Sequence, residues 1–362
     1  MSPRRNAGTL TGVIALSVAL VALVGLTFVP TQYVIQRPGP IYDTLGTALS
    51  ADGEKVPLIE VDGARTYPTA GTLDLTTLLV VGNPERTPTW FELAMAWFDP
   101  SRAVVPLDTF FPEGVTSEQR NERNADLMVD SQHEATAAAL IELGYDVGAE
   151  VKVVEPIEDT PADGILEADD TILAIDGVDV DSATVLRDAI QAAGGAEVTL
   201  TVARDGEERD IAITPEETTD AAGEVTWLVG ISLTTEYDFP VDVQLQLDNV
   251  GGPSAGMMFA LGIIDTMTPG KLNGGENVAG TGTIDAAGTV GPIGGIRQKL
   301  FGARDGGATI FLAPESNCDE VVGHVPSGLQ VFRTGTLEES LHILETIADG
   351  DDTSELPVCT AS

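Results

Sequence analysis

The chain has 362 residues, too many for one average hydrophobic core and enough for two or three domains that each bury an apolar set of their own. Hydrophobic residues make up 43% of it, which argues for globular folding rather than disorder. Its 57 acidic residues against 18 basic ones give a formal net charge of −39, which excludes a nucleic-acid partner because phosphate binding needs a cationic surface. The ordinary reading of such acidity is a solvated surface that keeps the protein soluble.

Residues Leu10 to Val29 carry no charged side chain, and about twenty residues rising ~1.5 Å each are enough to cross a ~30 Å hydrocarbon core. The pattern predicts a transmembrane helix over 10–29. A cleavable signal peptide is the rival, but no A-x-A-like site follows, and the chain continues Pro30-Thr31-Gln32-Tyr33. Arg4 and Arg5 lie in the short stretch 1–9, and only Arg37 lies close on the other side. The positive-inside tendency therefore puts the N-terminus in the cytoplasm and everything from about Gln32 outside, as a single-pass protein of the cell membrane.

Two cysteines occur, Cys318 and Cys359. Thiols outside a membrane tend to oxidise, so a disulfide tying the C-terminal tail (349–362) to the body is one reading. Two unrelated thiols are the other, since sequence does not show whether their Cα atoms lie within bridging distance. His133, His324 and His342 are scattered without metal-ligand spacing, so no metal site is expected.

Residues 37–145 read as a mixed α/β region, with a strand over Gly71 to Val81 and an Ala- and Glu-rich helix from Thr116 to Gly144. Strands follow at Val151–Val154, Thr171–Ile175, Val198–Val202 and Asp210–Ile213, with a helix over Ser182–Ala193 and turns at Asp176-Gly177 and Asp205-Gly206. The run Pro161-Ala162 through Gly164-Ile165-Leu166, then Asp169-Asp170-Thr171-Ile172-Leu173-Ala174-Ile175-Asp176-Gly177, resembles a bacterial protease-associated PDZ domain, placed over 146–215. That resemblance implies capture of an extended peptide along a sheet edge. It puts the carboxylate-binding loop near Gly144 to Ala149, although no plain G-L-G-F run occurs there. The acidic stretch Glu216 to Glu224 reads as a linker.

Val241, Val243, Leu245 and Leu247 alternate with polar residues as a half-buried strand. Gly251-Gly252-Pro253-Ser254-Ala255-Gly256 breaks it, and an apolar run from Met257 starts a buried helix. Ser254 thus sits at a strand-to-helix turn, where unpaired N–H groups and the helix dipole suit an oxyanion. The plainer role of a serine there is an N-cap. A hydroxyl nucleophile needs a partner for its proton, and the chain has only Lys55, Lys152, Lys271 and Lys299 as lysines. In a helix predicted from Gly295 to Arg304, Lys299 shares its face with Ile296, Leu300 and Ala303, while Arg297, Gln298, Arg304 and Asp305 take the exposed face. An inward lysine is desolvated and so biased toward the neutral amine that can act as a base. The plainer alternative is snorkelling to water.

Gly252-Pro253-Ser254-Ala255-Gly256, followed by Thr281-Gly282-Thr283 through Gly291-Pro292-Ile293-Gly294-Gly295-Ile296-Arg297-Gln298-Lys299-Leu300, resembles the Lon proteolytic domain, over about 227–348. The resemblance implies a Ser-Lys dyad, with Ser254 as nucleophile, Lys299 as general base, Thr281 orienting the lysine, and Gly252, Pro253 and Ala255 shaping the turn. It also implies a homo-oligomer, since Lon-type domains commonly assemble as rings. No G-x-x-x-x-G-K-[ST] phosphate loop occurs, so neither ATP nor another cofactor is expected.

The fold class expected is therefore multidomain α+β: one N-terminal transmembrane helix, a PDZ domain and a Lon-type α/β proteolytic domain. The whole resembles the PDZ-containing Lon-like membrane proteases of Gram-positive bacteria, which implies a serine endopeptidase acting on secreted or membrane-attached proteins. Two other readings stand beside it. G-x-S-x-G is also the nucleophile elbow of α/β-hydrolase esterases, with His324 or His342 as base, and a tethered PDZ scaffold without catalysis would carry the same domains.

Overall fold

The computed structural model describes residues 11–18, 25, 29–49, 53–112, 114, 116–219, 225–247 and 250–360. The stretch 1–9 and much of the expected 10–29 span lie outside the described residues; residues 11–18 and 25 are helical. Among the described residues no helix is long and apolar enough to cross a membrane.

In chain order the first part holds β1 (Tyr33–Asp43), β2 (Ile59–Asp62), β3 (Thr72–Val81), α1 (Trp90–Trp97), β4 (Ala103–Pro106) and α2 (Ser117–Glu142). Both helices start on a capping box, Thr89 with Glu92 and Thr116 with Gln119, which satisfies amides that have no partner within the helix. The second part runs β5 (Gly148–Pro156), β6 (Thr171–Ile175), α3 (Ala183–Ala193), β7 (Val198–Arg204), β8 (Glu207–Ile213) and β9 (Ile231–Asp238). The third holds β10 (Asp242–Leu245), α4 (Gly256–Met267), β11 (Asn277–Gly280), α5 (Ile296–Asp305), β12 (Ile310–Pro314), β13 (Gln330–Thr334) and α6 (Leu337–Asp349).

The first and third parts share one six-stranded sheet of order β13-β12-β11-β3-β1-β4. The run from β13 to β3 is parallel, and β1 and β4 join it antiparallel. β2 and β10, from the two parts, form a separate antiparallel pair. The sheet's pleat sorts its side chains. Leu73, Leu75, Val278, Leu312 and Phe332 belong to one core with Met257, Phe259 and Leu261 of α4. Ala279, Phe311, Ala313 and Val331 belong to another with Ile296, Leu300 and Ala303 of α5. With helices on both faces, every residue of β12 is buried, as expected for an inner parallel strand.

The second part is an antiparallel sheet of order β8-β7-β6-β5-β9 around its own core of Val151, Val153, Ile172, Leu186, Ile190, Leu200 and Val202. Asp205 and Gly206 both have positive φ, the backbone that a type I′ hairpin between β7 and β8 requires. The Arg204 guanidinium forks onto the fully buried Asp170, Nε to Oδ1 at 2.7 Å and Nη2 to Oδ2 at 2.6 Å.

Two expectations change here. This sheet does not end at residue 215: β9 pairs along β5 from Ile231↔Pro156 to Asp238↔Gly148, so the unit reaches past 227 into the region assigned to the next domain. The expected linker is in part a hairpin, Glu216–Thr219 paired with Val225–Leu228, while residues 220–224 lie outside the described ones. Charge and the lack of an apolar period hid it, because a two-stranded surface ribbon needs neither.

Candidate active site

Ser254 lies in the turn that leads into α4. Gly252 has φ +89°, left-handed backbone that an L side chain adopts only with strain, and Pro253 then fixes the approach. The N-cap position of α4 is taken by Ala255, without a side-chain cap bond, so Ser254 does not have the plain capping role. Its hydroxyl instead meets Lys299 of α5: Nζ to Oγ is 2.8 Å.

Lys299 is 2% exposed, held in place by Ile296, Leu300 and Ala303 against the sheet, and it does not snorkel. Desolvation lowers its pKa from 10.5 to about 7. Thr281, which follows β11 and is fully buried, completes the arrangement. Its Oγ1 donates to the Ser254 carbonyl at 2.9 Å and accepts from Lys299 Nζ at 2.8 Å. A neutral amine has two N–H bonds and one lone pair. With one N–H committed to Thr281, the lone pair is free to face the Ser254 hydroxyl. Gln298, expected on the exposed face, is buried at 2% exposure, because α5 is packed on more than its sheet side.

The backbone around Ser254 is largely committed. The Gly252 N–H goes to the Asn124 carbonyl, Met257 N–H to Gly282, and Gly282 N–H to the Ser254 carbonyl. Among the described residues this leaves the Ser254 and Ala255 N–H groups to meet an oxyanion. Sequence reading missed what α2 contributes. Ser131 Oγ donates to the Pro253 carbonyl at 2.9 Å, and Glu134 accepts the Ala286 N–H at 2.7 Å, its carboxyl pushed up by burial. These residues precede Ser254 by more than a hundred positions, and no local motif marks them.

The structure brings neither histidine of the hydrolase reading to the serine. His324 Nδ1 contacts the Val322 carbonyl at 3.1 Å, and His342 is exposed on α6. Cys318 and Cys359 are joined in a disulfide with Cα atoms 5.0 Å apart, and Cys359 packs on the core that holds α5. No cluster of metal-ligating side chains occurs among the described residues.

A concavity of about 460 Å³ lies in the antiparallel unit between α3 and the segment Trp227–Leu233. Leu186 and Ile190 line one wall, and Trp227, Val229, Ile231 and Leu233 line the other. Gln191 clamps the hairpin strand before β9, with Nε2 to the Trp227 carbonyl at 2.7 Å and the Trp227 N–H to Oε1 at 3.0 Å. Gly230 has φ +79°, and a Cβ there would sit 2.2 Å from Thr160 Cβ, so only glycine fits.

Residues 248–346 match the family model of the Lon protease (S16) C-terminal proteolytic domain, and residues 152–204 match that of the PDZ domain. The chain carries a Lon-type proteolytic domain and a PDZ domain. Lon protease 1 of Sorangium cellulosum is 36% identical over 93 residues, 25% of this chain and 11% of the relative. Lon protease 2 of Herpetosiphon aurantiacus is 33% identical over 138 residues, 33% of this chain and 17% of the relative. The chain thus spans only a small part of the length of these curated relatives. A crystal structure of the PDZ domain of an SdrC-like protein from Listeria innocua is 30% identical, covering 23% of this chain and 92% of that one, with a TM-score of 0.21. The proteolytic-domain match supports a serine peptidase.

Within the PDZ domain the stretch expected to form a carboxylate loop does not lie beside α3. Gly144 to Ala149 leads into β5, an inner strand, whereas the edge strand beside α3 is β9, preceded by Trp227–Gly230. The strand beside the helix is delivered after it in the chain, and its leading loop moves with it.

Proposed function

We propose that this chain is a membrane-anchored, ATP-independent serine endopeptidase that cleaves secreted or membrane-attached proteins through Ser254 and Lys299. The observation that carries the reading is a buried lysine, tuned to about pH 7, whose amine lies 2.8 Å from a partly exposed serine hydroxyl. Neutral Lys299 takes the Ser254 proton as the oxygen adds to a peptide carbonyl. The Ser254 and Ala255 N–H groups meet the oxyanion, the protonated amine returns its proton to the leaving nitrogen, and water then hydrolyses the acyl-enzyme. Thr281 positions the amine. In the PDZ domain, an extended substrate segment adds beside β9, with its apolar side chains between Leu186 and Ile190.

The membrane part of the proposal draws support from Leu10 to Val29. The segment is uncharged, and its helical residues 11–18 leave Val13, Ile14, Leu16 and Val18 exposed. Arg4 and Arg5 favour a cytoplasmic N-terminus with the proteolytic domain outside the cell membrane. The absence of a phosphate loop from the sequence supports ATP independence, and kinship with ring-forming Lon domains supports a homo-oligomer. The test is labelling by a fluorophosphonate probe without nucleotide. Wild type should label, Ser254→Ala should not, and Lys299→Ala should label on the order of a thousandfold more slowly. Equal labelling of wild type and Lys299→Ala removes the dyad, and no labelling of wild type leaves the scaffold reading.

A further inference from the structure

Helix α1 is apolar on the side that faces water. Leu93 and Ala96 turn inward, while Phe91, Met95 and Phe98, at helical spacing, form one exposed row flanked by Trp90 and Trp97. Trp97 is 72% exposed and Phe98 86%. A surface helix of a soluble domain has the opposite arrangement. Glu92, the only charged residue of the helix, is turned to its N-terminus by the bonds to Thr89.

A second observation fixes what covers this face. The apolar 10–29 segment ends at the start of α1. Thr31, which is buried, donates its N–H to Thr87 Oγ1 at 3.2 Å and its hydroxyl to the Pro88 carbonyl at 2.7 Å. Val29 and Tyr33, on either side, are exposed. A chain that leaves a bilayer at residue 29 therefore carries α1 out at the same depth, two hydrogen bonds from the exit point.

We propose that α1 lies in the lipid–water interface as an aromatic foot, with Trp90, Phe91, Met95, Trp97 and Phe98 seated among headgroups and upper acyl chains of the bilayer that the 10–29 segment enters. Tryptophan rings favour that level because one end is apolar and the other hydrogen-bonds. With a net charge of −39 the chain gains nothing from anionic headgroups, so the seat rests on apolar burial and suits neutral lipid. The foot rests on the anchored reading and deepens it, by fixing the height of the catalytic domain over the membrane.

The chain has three tryptophans, Trp90, Trp97 and Trp227. The full chain is reconstituted in phosphatidylcholine vesicles with or without bromine on the upper acyl chain, and tryptophan emission is compared between wild type and a Trp90→Phe/Trp97→Phe variant. Vesicle flotation is scored separately. The proposal expects both proteins to float and bromine to remove roughly half of the wild-type emission, since an interfacial seat is about 5–10 Å deep. The emission of the variant, from Trp227 alone, should be unchanged. Flotation without quenching overturns the foot and leaves the anchor standing. Blue-shifted, unquenched emission assigns the face to a second copy of the chain and also overturns it. Failure to float overturns the anchor and the foot together, and a Trp227→Phe chain that is quenched as wild type confirms the source of the signal.

Discussion

Titrating the reaction of Ser254 with a fluorophosphonate from about pH 5 to about pH 9 tests the base directly. Burial carries the Lys299 amine from 10.5 to about 7. At about 1.4 kcal/mol per pH unit, that difference corresponds to ~5 kcal/mol between the charged and neutral amine in this site. The labelling rate should rise sigmoidally with a midpoint near 7, about tenfold per pH unit below it, so that roughly a hundredfold is lost by pH 5. Lys299→Arg keeps its charge throughout and should be inactive at every pH. The same linkage acts on stability. Between about 7 and 10.5 the unfolded chain holds a proton on this amine that the folded chain has released, so stability increases with pH across that window. Below 7 both states are charged and the burial penalty is constant. In denaturant unfolding, Lys299→Met on a Ser254→Ala background should therefore be the more stable protein at pH 6, with the gap closing toward pH 10. A flat labelling profile, a midpoint near 10, or a stability gap that ignores pH would refute the reasoning.

Three further outcomes follow from the structure. Cys359→Ser opens a loop whose ends are 41 residues apart and should cost about 4 kcal/mol by chain entropy, read as a lowered denaturation midpoint that reductant reproduces in wild type. Asp74 is raised from 3.8 to about 6, first by burial and then by the charge of Asp43, so its ionisation opposes folding and stability falls as pH rises from 3.8 to 6. Asp74→Asn keeps an acceptor for Thr72 and should raise the unfolding free energy at pH 7 by ~1–3 kcal/mol, without a gain at pH 3. Leu186→Asp puts a carboxylate in the groove wall and should weaken cleavage of a protein substrate at least tenfold, with fluorophosphonate labelling unchanged.

The pairing of Ser254 with Lys299 was legible because its signals are local. One short turn carries Ser254, one helix carries Lys299, and Thr281 follows a strand between them. Burial of Lys299 could be read from its apolar neighbours at helical spacing, while that of Gln298 could not, since covering on a second side leaves no period in the sequence. Ser131 and Asn124 hold the turn from a distant helix, Glu134 of the same helix holds the Ala286 loop, and long-range backbone bonds of that kind leave no mark on residue type. The loop expected at Gly144 to Ala149 does not lie beside the helix, for a topological reason. The helix and turns of the PDZ domain were read correctly, but the strand beside the helix comes from residues that follow it, beyond an acidic hairpin that looked like a linker.

That chain order makes the PDZ domain a cassette. It departs after α2 and returns at β10, and its first and last strands lie side by side, with Gly148 opposite Asp238. The gap left by excising it is one inter-strand spacing wide, about 5 Å, and a few residues would bridge it. Every strand of the six-stranded sheet lies outside the excised piece, so the PDZ domain and the proteolytic domain are separable by a single splice.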